Sequence, residues 1–155
     1  MSAASSNELK ELLTALDYYR ANFRGPKMPP LELSNFYDLF PGTDEAECED
    51  RWPDDWPNVY SPGVYLIFDV NKRVIYIGKA SMNSWFGARL GTYFKLGPDK
   101  SCVVRDADKW NGDPRFVAVI PMQEDFRFEA PALEEFLITK LQPIDNKVGI
   151  TRRPT

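Results

Sequence analysis

Gly63-Val64-Tyr65-Leu66-Ile67-Phe68-Asp69-Val70-Asn71-Lys72-Arg73-Val74-Ile75-Tyr76-Ile77-Gly78 contains two β-rich runs, Val64 to Asp69 and Arg73 to Ile77, joined at Val70-Asn71-Lys72. Branched and aromatic residues dominate both runs and the junction is polar, the pattern of a β-hairpin. Downstream, the spacing predicts a helix over Ser84 to Phe94, a loop at Gly97-Pro98 and a third strand over Phe116 to Ile120. A second helix is predicted over Pro131 to Leu141, with Pro131 in its first turn and Pro143 after its end. The order is ββαβα, an α/β fold with a small, mainly antiparallel three-stranded sheet flanked by helices.

Upstream the texture differs. Ser5 to Phe23 reads as a helix: Ser5 and Glu8 fit a capping box, Leu9, Leu12, Leu13, Leu16 and Tyr19 form an apolar stripe, and Gly25-Pro26 stops it. A short apolar helix is expected around Ser34 to Phe40. An acidic, loop-like stretch from Asp44 to Pro57 follows, with Trp52 and Trp56 expected as packing anchors. The expected division is an N-terminal helical and acidic extension packed on the core (1–62), a main domain (63–150) and a tail (151–155).

The chain has 155 residues, 43% hydrophobic and 14% aromatic, enough to bury a core without disulfides. No apolar run approaches the ~20 residues of a membrane span. Met1 to Asn7 lacks the basic and apolar regions of a signal peptide, so a cytoplasmic location without membrane partners is expected. Two cysteines, Cys48 and Cys102, are too few for a disulfide scaffold or a four-cysteine zinc site. There is no histidine, which excludes a Ser-His-Asp triad, a Cys-His dyad and a mixed cysteine–histidine zinc site. Catalysis would have to use carboxylates, tyrosine, lysine, arginine or an oxygen-liking metal.

The net charge of −4 is uneven: residues 1–62 carry 5 Lys/Arg against 12 Asp/Glu, and residues 63–155 carry 14 against 11. Nucleic-acid binding therefore fits the second part better than the chain as a whole. The acidic segment Asp44–Asp55 either restrains DNA binding there or is a solvated loop. Two charges fall on apolar helical stripes. Arg89 shares a face with Trp85, Phe86 and Tyr93, and Glu134 with Leu137, Ile138 and Leu141, whereas Glu135 aligns with Thr139 and Gln142. A charge so placed is costly unless it is paired, bound to a ligand or at the edge of a cleft. Snorkelling at the core border, or pairing with each other, would also account for them.

Taken together, Gly63-Val64-Tyr65, Tyr76-Ile77-Gly78 followed by Lys79-Ala80, Arg89 with Tyr93-Phe94, and Glu134 with Pro143 and Asn146 resemble the signature of the GIY-YIG nuclease family. Within that family the likeness is greatest to its excinuclease-type nuclease domains, over about residues 63–148. Tyr93 stands where many of the relatives carry histidine. The resemblance implies a metal-dependent endonuclease hydrolysing phosphodiester bonds in DNA, duplex or branched, with a protein partner as a possible source of specificity. It implies Tyr65 as base with Tyr76 as its partner, Arg89 stabilising the phosphate, and Glu134 as ligand to Mg²⁺ or Mn²⁺. Lys79, Tyr93 and Asn146 are the expected substrate-side residues, Asn146 by bracing the site through hydrogen bonds. One carboxylate suits ions that keep water and phosphate oxygens as their other ligands. The tyrosine base is the demanding part: a phenol with a pKa near 10 is about one part in a thousand ionised at pH 7, a deficit of roughly 4 kcal/mol. The alternative is a non-catalytic nucleic-acid- or protein-binding module that retains the fold.

Overall fold

The computed structural model describes residues 3–42 and 48–151, with side chains in the first helix from Asn7 onward. Helix α1 (Ala3–Phe23) is followed by two short strands, β1 (Tyr37–Asp38) and β2 (Asp50–Arg51). The hairpin is β3 (Gly63–Phe68) and β4 (Val74–Ala80), and α2 (Phe86–Leu90) comes next. A small second hairpin, β5 (Phe94–Leu96) and β6 (Cys102–Val104), precedes β7 (Phe116–Pro121) and α3 (Glu129–Leu141). The main sheet has the order β2-β1-β7-β3-β4. It is antiparallel except for the β1–β2 pair. Among the described residues no helix is long and apolar enough to cross a membrane.

Every residue of β3 is buried because both faces of the sheet are covered. Val64, Leu66 and Phe68 join Ala118 and Ile120 under Leu12, Leu16 and Tyr19 of α1 and Leu133 and Leu137 of α3. Tyr65 and Ile67 face the other way, with Val117 and Val119, toward Tyr37, Leu39, Phe86, Leu90 and Phe94. The period-2 alternation thus divides one strand between two cores. Among the described residues two buried ion pairs join distant segments. Arg24 grips Glu129 at the start of α3 (2.7 and 3.0 Å), and Arg115 grips Asp38 (2.7 and 3.1 Å).

Several expectations need correction. The sheet has five strands rather than three, because Tyr37-Asp38 is strand and not helix and Asp50-Arg51, in the stretch expected to be loop, pairs with it. The Ser34 N–H donates to the Val119 carbonyl (2.8 Å) and its Oγ accepts from the Val119 N–H (2.9 Å). The Leu39 N–H donates to the Arg115 carbonyl (3.0 Å). A seven-residue helix would be marginal alone, whereas the open edge of β7 offers backbone groups that need partners. Helix α2 is five residues long, not eleven, since Gly87 and Gly91 weaken it and Phe94 leaves to pair with Val104 in the second hairpin. Helix α3 begins at Glu129, which places Pro131 still within the first turn, where an N–H is dispensable.

Helix α1 begins at Ala3, so Ser5 lies inside it rather than capping it. Leu13 is off the buried stripe and 42% exposed. Residues 43–47, which include Asp44, Glu45 and Glu47 of the acidic segment, lie outside the described residues, as do 152–155 of the tail. Trp52 and Trp56 do act as anchors. Their rings meet at 5.7 Å, Trp56 packs on Tyr37, and the Trp52 indole N–H donates to the Lys100 carbonyl (2.9 Å).

Candidate active site

Tyr65 on β3 and Gly78 on β4 are direct cross-strand partners, as are Ile67 and Tyr76. This register brings the Tyr65 and Tyr76 rings to 6.3 Å, with planes 28° apart. It also explains the second glycine of the motif. A Cβ at position 78 would fall within the space of Tyr65 Cζ and Oη, so only a hydrogen there leaves room for the ring. The first glycine has a different cause: Gly63 has φ +147°, and a Cβ would collide with the Ile120 carbonyl and come within 2.8 Å of Phe86 Cζ. Gly78→Ala is expected to leave a folded protein in which the Tyr65 hydroxyl is displaced. Should the cleft be catalytic, a misplacement of about 1 Å costs about 10²-fold in rate. Activity within threefold of wild type would show that the position of the Tyr65 ring is unimportant.

Tyr93, just beyond α2, closes the constellation. Its hydroxyl lies 2.8 Å from that of Tyr65 and donates to that of Tyr76 at 3.2 Å. A phenol has one proton, so with Tyr93 donating to Tyr76, Tyr65 must be the donor to Tyr93. Burial pushes the phenols of Tyr65 and Tyr76 well above their ordinary range, and the neighbouring Tyr93 adds to both shifts. The Arg89 charge opposes this at both tyrosines. Arg89 is itself held more firmly protonated, chiefly by Tyr65, against the effect of burial. Of the apolar neighbours expected for Arg89, Phe86 is buried but Trp85 is 43% exposed.

On α3, Glu134 is half-buried beside Leu137 and Ile138, and Glu135 is exposed. Burial raises the Glu134 carboxyl above the usual range, while Lys79 and Arg89 pull it down. Tyr65, Tyr76, Lys79, Arg89 and Glu134 line one cleft of about 300 Å³. Two further clefts adjoin it: one of about 650 Å³ shares Tyr76 and Glu134, and one of about 210 Å³ shares Tyr76.

Asn146 makes the bracing hydrogen bonds expected of it, and makes them to the backbone of β4. Its Oδ1 accepts from the Ile77 N–H and its Nδ2 donates to the Ile77 carbonyl, both at 2.9 Å. The Asp145 N–H donates to the Ile75 carbonyl (2.9 Å). The segment after Pro143 therefore straps the outer edge of β4, and Asn146 braces the strand that carries Tyr76. Sequence reasoning missed Ser81 and Ser84, which also line the cleft. Ser81 Oγ is buried with no hydrogen-bond partner among the described residues. A serine in a loop after a strand carries no sequence signal that would single it out.

Among the described residues, no three His, Cys, Asp or Glu side chains converge as a self-contained metal cage. Glu134 offers a single oxygen ligand, which fits a hard cation such as Mg²⁺ or Mn²⁺ that takes its other ligands from water and phosphate. No protein-family model, no curated protein and no solved structure matches the chain, so a functional reading rests on these residues and their arrangement.

Proposed function

We propose that the chain is a GIY-YIG-type, metal-dependent endonuclease that hydrolyses phosphodiester bonds in DNA. The observation that carries this reading is the convergence of Tyr65, Tyr76, Lys79, Arg89 and Glu134, drawn from two strands and two helices, on one cleft. The antiparallel β7-β3-β4 core with α2 and α3 against it supports the same reading.

Glu134 is the residue to hold Mg²⁺ or Mn²⁺, and the ion when bound supplies positive charge to the phosphate and the leaving oxygen. Arg89 presents a planar fork to the non-bridging phosphate oxygens. Tyr65, buried as a ring but lining the cleft, is the base in this reading, with its own proton directed at Tyr93. As the water oxygen bonds to phosphorus and the bond to the leaving oxygen breaks, the water's proton passes to Tyr65 and the leaving oxygen takes a proton from a solvent water. Tyr65 releases its own proton to Tyr93, Tyr93 to Tyr76, and half-buried Tyr76 to solvent. Such a relay avoids a standing phenolate, which burial of both tyrosines disfavours.

The test is cleavage of a panel of labelled DNAs (duplex, forked, flapped and single-stranded) with Mg²⁺, with Mn²⁺ and with EDTA. Cleavage that requires the divalent ion supports the proposal. Binding without cleavage under every condition would overturn it in favour of the non-catalytic module. Tyr65→Phe is expected to lower the rate at neutral pH by well over tenfold with little change in melting temperature, since the ring stays. A fall of less than about tenfold, roughly 1.4 kcal/mol, would remove Tyr65 as the base.

A further inference from the structure

The cleft of about 210 Å³ that shares Tyr76 with the candidate active site is lined by Tyr93, Arg105, Lys109, Trp110 and Lys147 among others. Trp110 is half-buried, its ring edge-to-face with Tyr76 and with Tyr93, each at 5.9 Å. Arg105, Lys109 and Lys147 are exposed at the rim. The two acids of the cleft are Asp106 and Asp145. Both carboxylate oxygens of Asp145 are engaged, accepting the backbone N–H groups of Asn111 (2.7 Å) and Gly112 (3.0 Å). These bonds also hold in place the loop that follows Trp110.

We propose that this cleft binds an unpaired nucleotide of the DNA strand next to the phosphate cut at Arg89 and Glu134. Its base would lie against Trp110, and its phosphates would be held by Arg105, Lys109 and Lys147. The inference rests on the nuclease reading and specifies its substrate: DNA with an unstacked base beside the cleavage point. Three physical points favour a nucleotide. The cleft carries three cations against two acids, one of them tied to backbone N–H groups, so its rim is locally positive on a chain whose net charge is −4. An aromatic side chain between cations is the arrangement by which proteins hold single strands, the base stacking while the backbone is neutralised. A base inside a continuous duplex has no free face to offer an aromatic side chain, so stacking on Trp110 calls for an unpaired base. Tyr76 and Tyr93 connect this cleft to Tyr65, so a nucleotide seated here fixes the register of the adjoining phosphate.

The experiment compares binding of a labelled forked DNA and of a fully paired duplex of the same sequence, by fluorescence anisotropy in EDTA over a series of salt concentrations. Wild-type protein is expected to favour the fork. Trp110→Leu is expected to weaken fork binding about fivefold to a hundredfold with little effect on the duplex. The double variant Arg105→Gln/Lys109→Gln, which touches only exposed side chains, is expected to flatten the slope of log K against log salt by about 0.7 per lost charge on the single-stranded arm. This second variant keeps the test decisive should Trp110→Leu melt substantially lower than wild type. Fork binding unchanged in a folded Trp110→Leu, or an unchanged salt slope in the double variant, overturns the subsite while leaving the nuclease reading intact. No DNA binding by the wild-type protein overturns the subsite, and the nuclease reading falls with it only if cleavage with Mg²⁺ and with Mn²⁺ is also absent.

Discussion

Glu134→Ala is expected to remove metal-dependent cleavage, a fall of at least about 10²–10³ in rate, while Glu135→Ala leaves it nearly unchanged. The two residues are adjacent on α3 but differ in setting. Glu134 is half-buried in the cleft with Lys79 and Arg89, and Glu135 is exposed. The isosteric Glu134→Gln carries a second, opposite expectation. Burial raises the folded-state pKa of Glu134 above that of the unfolded chain, so the folded protein binds this proton more tightly. Its contribution to stability is therefore fully present at low pH and is lost as pH rises from the ordinary glutamate range through the raised folded value. At pH 7, Glu134→Gln should melt above wild type, and the gap should close at acid pH. In a chain of 155 residues each kcal/mol moves the melting temperature by about 2–4 °C, a readable shift. Equal loss of cleavage in the Glu134 and Glu135 variants would refute the metal-ligand assignment. A Gln variant that melts below wild type at pH 7 would show that the carboxylate is there for stability.

Arg24→Ala is expected to destabilise the fold by about 3–5 kcal/mol, the cost of leaving a buried carboxylate without its partner. Glu129 is 5% exposed, receives two bonds from Arg24 and accepts the Tyr19 hydroxyl at 3.0 Å. The pair ties the end of α1 to the first turn of α3, five residues before Glu134, so its loss should also loosen the placement of that carboxylate. Replacing the whole group with apolar residues (Tyr19→Phe, Arg24→Met, Glu129→Leu) is expected to recover much of the loss, since no uncompensated charge then remains. Urea unfolding of the single and triple variants checks both points. A loss below about 1 kcal/mol in Arg24→Ala would mean that water reaches Glu129 and the pair behaves as a surface contact.

Local pattern carried the sequence reading furthest where local forces dominate. The alternation of Val64, Leu66 and Phe68 with Tyr65 and Ile67 marks a strand in any context, and α3 shows its apolar period within thirteen residues. Glu134 stood out as a charge on an apolar face; Arg89 stood out through its place in the motif series, since Trp85 is exposed and Tyr93 lies beyond the short α2. The errors share a cause. Ser34 to Phe40 has enough apolar residues for a helix, but Tyr37-Asp38 within it is strand because β7, some eighty residues later, leaves backbone groups to be paired. Phe94 leaves its helix for a partner at Val104. The bracing expected of Asn146 is made, but its partner, the edge of β4, is one that no local window reveals.

The chain's own pattern was thus sufficient for the hairpin, the closing helix, the exclusion of histidine chemistry and the residues that break the apolar stripes. Each of these depends on near neighbours or on composition. Folding in three dimensions decided the five-stranded sheet, the strap along β4, the hydrogen-bonded line from Tyr65 through Tyr93 to Tyr76, and the placing of Trp110 beside it. Even the two motif glycines acquire their reason only there: the Tyr65 ring fills the space over Gly78, and the Ile120 carbonyl fills it over Gly63. Those contacts join residues far apart in the chain, and their energies arise only once the intervening loops have closed and the backbone edges have found partners.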